Sequence, residues 1–189
     1  MRVLIIQGHP DPAEVRFCRG LADAYARGAQ ARGHEVRRID VARLEFPLLR
    51  TKQEFEQTPV PQTLEAAQGS IAWAEHLVVV HPLWLGEMPA LLKGFFEQTL
   101  RPGFAFPAAR NAPGLRGKSA RVIVTMGMPA AIYRWYYRAH GLKNLARNVL
   151  GFVGVTPVRS TLIGGIESLS EDRRARWLAR VERLGREAR

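Results

Sequence analysis

The chain of 189 residues contains one cysteine, Cys18. That excludes an intrachain disulfide and any metal cluster built on several thiolates. Lysine is scarce: it occurs only at positions 52, 93, 118 and 143, so most of the positive charge is arginine. No apolar run is long enough for a clean transmembrane helix. The most apolar late stretch, residues 149–166, is interrupted by Pro157 and Arg159. The N-terminal run 3–6 is too short for the core of a secretory signal and passes at once into a Gly/Pro turn, so a cytoplasmic protein is expected. Neither G-x-G-x-x-G nor G-x-x-x-x-G-K-[ST] occurs, which argues against a nucleotide triphosphatase. His34, His76 and His81 lack the spacing of zinc ligands, and no metal site is expected. No internal repeat or low-complexity tract is present.

What remains is ordinary for a folded domain: 47% hydrophobic and 24% charged residues, at a length that suggests one domain over 1–189. The formal charge is +11. Arginines are spread along the chain, and the densest cluster, 173–189, also carries Glu182 and Glu187, as the outer face of a helix does. Nucleic acid is therefore not expected as a partner, because charge alone is a weak footprint. A basic mouth suits a phosphorylated cofactor equally well.

Along the chain, Arg2–Gln7 (RVLIIQ) is a continuous apolar run, the pattern of a strand buried on both faces. Gly8-His9-Pro10-Asp11-Pro12 ends it, and a helix is expected over about 14–32, stopped by Gly33. Glu35–Asp40 alternates as a second strand. Residues 41–61, with three prolines, read as irregular. A helix over 62–75 leads into a third strand, 77–80, which His81-Pro82 is expected to stop because proline cannot donate to a central ladder. A helix over 89–100, a loop to 118 and a fourth strand, 120–125, follow. The amphipathic stretch 133–152 reads as one helix or as two broken near Gly141. Residues 156–163 make a fifth strand, and 171–187 the last helix.

Five strands alternating with helices predict an α/β fold: a doubly wound parallel sheet with helices on both faces, order 2-1-3-4-5. Ligands of such sheets bind beyond the carboxyl ends of the strands, at the switch point between strands one and three. The loops that matter are then 8–16, 81–88 and 126–129. In the first, the free N–H groups and dipole of a helix start favour an anion, with His9 and Arg16 as added donors. The second combines Leu83 and Trp84 with a flexible backbone, a surface for a planar ring. Trp84 alone reads equally well as a packing residue. In the third, Gly127 permits close approach of the backbone, between Thr125 and Met128. Trp135, Tyr136 and Tyr137 are expected to pack against the sheet or against a second subunit. Cys18 sits at a helix start, where a thiol pKa can fall, but no acyl-transfer constellation accompanies it.

The segment Pro82-Leu83-Trp84-Leu85-Gly86-Glu87-Met88-Pro89-Ala90-Leu91-Leu92-Lys93-Gly94-Phe95-Phe96-Glu97, followed by Gly103-Phe104-Ala105-Phe106, resembles the central segment of the NAD(P)H:quinone oxidoreductase family. Gly8-His9-Pro10 with Arg16-Phe17-Cys18 resembles that family's flavin-phosphate loop. Thr125-Met126-Gly127-Met128-Pro129 with Tyr133 and His140 resembles its third loop. The resemblance covers about residues 1–167. It implies a flavodoxin-like fold and a flavin, FMN or alternatively FAD. NADPH or NADH would be the donor, and a quinone or similar planar molecule the acceptor, served in turn by a ping-pong mechanism. It implies that His9, Phe17 and Cys18 flank the flavin phosphate or pyrophosphate, that Pro82, Leu83, Trp84 and Leu85 hold the ring, and that Gly127 and Met128, next to Thr125, approach its other edge. Tyr133 and His140 would face the substrate as catalytic residues. The family acts as homodimers with the site completed across the interface. The chain departs from the pattern in having no Ser or Thr over 8–19, so that Arg16 would replace hydroxyl donors, and in placing His140 one residue off. A regulatory subunit of a potassium-efflux transporter and a flavodoxin-like electron carrier are the alternative readings.

Overall fold

A computed structural model describes residues 1–13, 15–105 and 114–188. Glu14, at the start of the expected first helix, and Phe106 lie outside the described residues.

Five parallel strands form one sheet: β1 (Arg2–Gln7), β2 (Glu35–Asp40), β3 (His76–Pro82), β4 (Ser119–Thr125) and β5 (Val158–Ile163), in the order β2-β1-β3-β4-β5. The three inner strands are apolar on both faces because helices cover both. One face carries α1 (Phe17–Ala31) and α7 (Glu171–Glu187), packed over Val3, Ile5, Val78, Val80 and Ile123. The other carries α3 (Gln62–Trp73) and α4 (Ala90–Thr99), whose Leu64, Ile71, Leu92 and Phe95 meet Leu4, Ile6, Leu77 and Val79. Helices α1 and α7 touch backbone to backbone. A Cβ at Gly28 would lie 1.9 Å from the Glu182 carbonyl oxygen, and one at Gly185 2.1 Å from that of Tyr25.

Several expected boundaries are corrected. The 41–61 stretch is not wholly irregular. It holds a 3-10 turn, Val41–Arg43, and a short helix α2, Lys52–Gln57. The Thr51 hydroxyl accepts from the Glu54 N–H at 3.1 Å, while the Glu54 carboxylate accepts from the Arg50 N–H at 2.9 Å. These reciprocal bonds resemble a capping box and satisfy donors at the helix start. Strand β3 runs through Pro82, paired with Thr125. Gly8 donates to the Val80 carbonyl, and Leu83 donates to that of Thr125. The nitrogen of Pro82 therefore faces the β1 side, beyond the last β1–β3 pair, Gln7 with Val80, where no ladder bond is lost. Helix α1 begins only at Phe17.

The stretch after β4 is also broken differently. Helix α5 (Ala130–Trp135) and helix α6 (His140–Lys143) are separated at Arg138 and Ala139, whose φ values are +53° and +49°. The break therefore precedes Gly141. Helix α6 continues as π-helix over Asn144–Gly151. No helix of the described residues is long and apolar enough to cross a membrane.

Candidate functional site

The loops after β1, β3 and β4 meet at the carboxyl end of the sheet. In the first loop Asp11 organises the chain. Its backbone N–H donates to His9 Nδ1 at 3.0 Å, and its carboxylate accepts from the Ala13 N–H at 2.8 Å. The same carboxylate accepts Arg16 Nε at 2.7 Å and its terminal nitrogen. The Ala13 N–H and the Arg16 guanidinium hold the Asp11 carboxyl below its ordinary range. A backbone N–H can only donate, so His9 Nδ1 carries no proton and Nε2 is the donor nitrogen. Partial burial lowers the His9 pKa, which favours this neutral form.

Arg16 is the residue preceding α1, and its side chain makes no capping bond. The first N–H groups of α1, those of Phe17 and Cys18, therefore keep their anion-binding capacity. The Phe17 ring packs in the α1/α7 core with the Arg174 guanidinium 5.2 Å from its centroid. Cys18 Sγ lies 3.1 Å from Thr125 Oγ1, a buried contact that ties the first loop to β4. Burial pushes the Cys18 thiol up to about 11, so it is not an activated nucleophile. Only the Cys18 backbone N–H remains to face a ligand; the Thr125 carbonyl accepts from the Leu83 N–H, so Thr125 does not meet one directly.

After β3 the chain makes a tight hairpin. Trp84 and Glu87 exchange backbone hydrogen bonds, both 2.9 Å, around Leu85 and Gly86, whose φ values are +48° and +82°. Two positive φ values make this a type I′ turn. Leu85 is fully exposed in a conformation unfavourable to a branched side chain, and Trp84 is 51% exposed. Trp84 thus does not serve the core. Its ring meets His9 edge-on at 6.2 Å, which joins the first two loops. Leu83 is half-buried against the core, and Pro82 is buried at the end of the strand. Among the described residues, no protein group bonds the N–H of Leu85 or Gly86.

In the third loop Gly127 lies beside Glu167, whose carboxylate would be 3.3 Å from a Cβ at that position. The Met128 carbonyl accepts from the Gly165 N–H at 3.0 Å. Tyr133 is 1% exposed. Its hydroxyl donates to the Gly86 carbonyl at 3.4 Å and accepts from the Leu142 N–H at 3.1 Å. Desolvation raises its pKa, so the phenol stays protonated. His140 is exposed on α6, and no hydrogen bond joins its ring to Tyr133. The break at 138–139 turns one side chain inward and leaves the other outside. Trp135, Tyr136 and Tyr137 do not pack on the sheet; all three are exposed. No group of three or more potential metal ligands occurs among the described residues.

Further residues join this region. Asp11 was legible as a Pro-Asp-Pro turn former. Glu87 accepts from Asn144 Nδ2 at 3.3 Å, and a Cβ at Gly141 would lie 2.2 Å from the Gly86 carbonyl oxygen; these contacts depend on the hairpin, which no local pattern announces.

Comparison with known proteins agrees with this architecture. The family model described as Flavodoxin-like fold matches residues 1–184, and the chain belongs to that family. A Haemophilus influenzae protein named as an uncharacterized NAD(P)H oxidoreductase is 24% identical over 180 residues, 92% of this chain and 89% of that one. An FMN-dependent NADH:quinone oxidoreductase of Pseudomonas aeruginosa is 32% identical over 120 residues, 61% of this chain but only 53% of that protein. The solved structure of an NAD(P)H:quinone oxidoreductase from Methanothermobacter marburgensis matches with a TM-score of 0.84 at 25% identity, over 99% of this chain and 96% of that one.

Proposed function

We propose that this flavodoxin-like protein is an FMN-dependent NAD(P)H oxidoreductase that passes two electrons to a quinone or similar planar acceptor. The observation that carries the reading is the pairing of an uncapped helix start after β1 with a hairpin of unbonded N–H groups after the neighbouring strand β3. The first fits a phosphate, the second the polar edge of a flat ring, and exposed Trp84 and Leu85 supply apolar surface beside it. FMN is also the cofactor in the name of the Pseudomonas relative.

A bound flavin would supply the redox chemistry, the uptake of a hydride from a nicotinamide and the release of two electrons with protons to the acceptor. The chain supplies position and charge. His9 Nε2–H and the N–H groups of Phe17 and Cys18 hold the phosphate, and Arg16 adds a guanidinium when it leaves Asp11. Pro82, Leu83, Trp84 and Leu85 support the ring, and the Leu85 and Gly86 N–H groups bond its polar edge. Gly127 and Met128 border the other side, with Thr125 fixing Cys18 behind them. Exposed His140 acts as a donor towards the substrate, and Tyr133, whose one proton is held by the Gly86 carbonyl, becomes a donor only when its hydroxyl leaves that carbonyl. Donor and acceptor use one surface in turn, a ping-pong order.

The site is completed by a second copy. Ile132, Tyr136 and Tyr137 form an exposed apolar group on and just after α5, whose Tyr133 bonds the hairpin. Such a surface is costly to leave in water. Light scattering of the purified chain is expected to give a dimer, and Tyr136→Glu a monomer with most activity lost.

The cofactor is tested by the absorbance spectrum of the purified protein, then denaturation and chromatography of what is released. Released FMN supports the proposal. A colourless protein that does not take up added FMN refutes it.

A further inference from the structure

A groove of about 1060 Å³ runs along β5, between α7 on one side and α5, α6 and the π-helical stretch on the other. It is separate from the strand-end loops. Arg134, Arg138, Lys143, Arg147, Arg159 and Arg180 line it, and no acidic side chain does so among the described residues. None of these six cations forms an ion pair with a described residue. Two of them instead lie over indoles, Arg134 at 5.6 Å from the Trp135 ring centre and Arg180 at 5.1 Å from that of Trp177. The opposing wall is set back by small side chains, Ala130, Ala131, Ala139 and Ala146.

The floor of the groove is backbone. The Pro157 and Ile163 carbonyls accept from Ala120 and Met126, so odd-numbered residues of β5 face β4. Groups alternate along a strand, so the N–H and C=O of Ser160 and Leu162 point outward, at the open edge of the sheet. Both residues line the groove, and no described group bonds their N–H. An open edge is a template for another strand.

We propose that this groove binds an extended acidic polypeptide segment, which adds to β5 as a sixth strand. Two independent features select that occupant. The cations select negative charge, and the outward groups at 160 and 162 select a backbone with a two-residue repeat. A second copy of this chain is a poor occupant, because its charge is +11. A nucleic acid would use the arginines but not the strand edge. The proposal does not rest on the flavin reading.

The test is fluorescence anisotropy of the full chain with a labelled peptide of alternating Glu and Val, at about 0.1 M salt, where exposed charges more than ~10 Å apart are screened. Two further probes are the same peptide N-methylated at alternate residues and a single-stranded oligo-dT of equal charge. The Glu/Val peptide is expected to bind. N-methylation, Ser160→Pro, and Arg147→Glu combined with Arg159→Glu should each weaken it at least about tenfold, with NAD(P)H oxidation unchanged. Ser160→Pro removes only an outward N–H, a place where strands accept proline. If that variant fails to melt cooperatively, the N-methylated peptide on the unaltered chain decides. Equal binding of the methylated peptide, or oligo-dT binding as tightly as the peptide, would overturn strand addition. No peptide binding would show that the arginines only guard the edge.

Discussion

The phenol of Tyr133 bridges two segments that are distant in sequence: it donates to the Gly86 carbonyl at 3.4 Å and accepts from the Leu142 N–H at 3.1 Å. It thus fastens the β3 hairpin to the start of α6. Tyr133→Phe leaves the Leu142 N–H without its acceptor, at a cost of about 1–3 kcal/mol. Urea unfolding should show that loss, and turnover with NADH should fall about tenfold or more through kcat. Unchanged stability and turnover would mean that the bridge does nothing.

Arg16 is held by Asp11 in an exposed ion pair, which contributes little to stability. Its role is expected in phosphate binding. Arg16→Ala should weaken FMN about tenfold while leaving riboflavin, which lacks the phosphate, unaffected. Asp11→Asn should release the guanidinium and tighten FMN. Fluorescence titration with both flavins checks this. Equal loss of FMN and riboflavin would instead make Arg16 a structural residue.

The Cys18 thiol is buried against Thr125 and is pushed up to about 11. At pH 8 an aromatic disulfide reagent should label the native chain more than about a hundredfold slower than the urea-unfolded chain, since the thiolate is the reactive form. Fast native labelling would contradict the burial.

His76 lies between the Tyr25 hydroxyl, 3.0 Å from Nε2, and the Ser119 hydroxyl, 2.7 Å from Nδ1. Burial lowers its pKa to about 4, and the buried His81 likewise to about 4. An unfolded chain binds these protons first as pH falls below about 6.5, so the folded state is favoured by neutral imidazoles. Stability is therefore full above that pH and is lost as pH falls towards 4, by roughly 3 kcal/mol for His76. Urea unfolding between pH 7.5 and 4.5 should show the decline, and His76→Gln should reduce its slope.

The strand order and the three loops were legible in the chain, because apolar runs such as Arg2–Gln7 and the punctuation after them are local signals. Features that depend on the assembled sheet were not. Pro82 reads as a strand breaker until it is known that β1 has already left its side. The break at Arg138 and Ala139 carries neither glycine nor proline, and Gly141, the visible candidate, serves instead as a contact for the hairpin. The Thr-x-x-Glu of 51–54 carries the cap of α2, within a stretch that its prolines alone mark as irregular. The Cys18–Thr125 contact spans two loops, and no sequence pattern announces it.

The loops after β1 and β3 are proposed to hold a flavin that exchanges electrons with NAD(P)H and a planar acceptor. Anaerobic stopped-flow mixing of FMN-reconstituted protein with NADH or NADPH tests it most directly, followed by mixing with a quinone. The flavin absorbance should bleach with the first reagent and return with the second. A bound flavin that neither donor bleaches would contradict it.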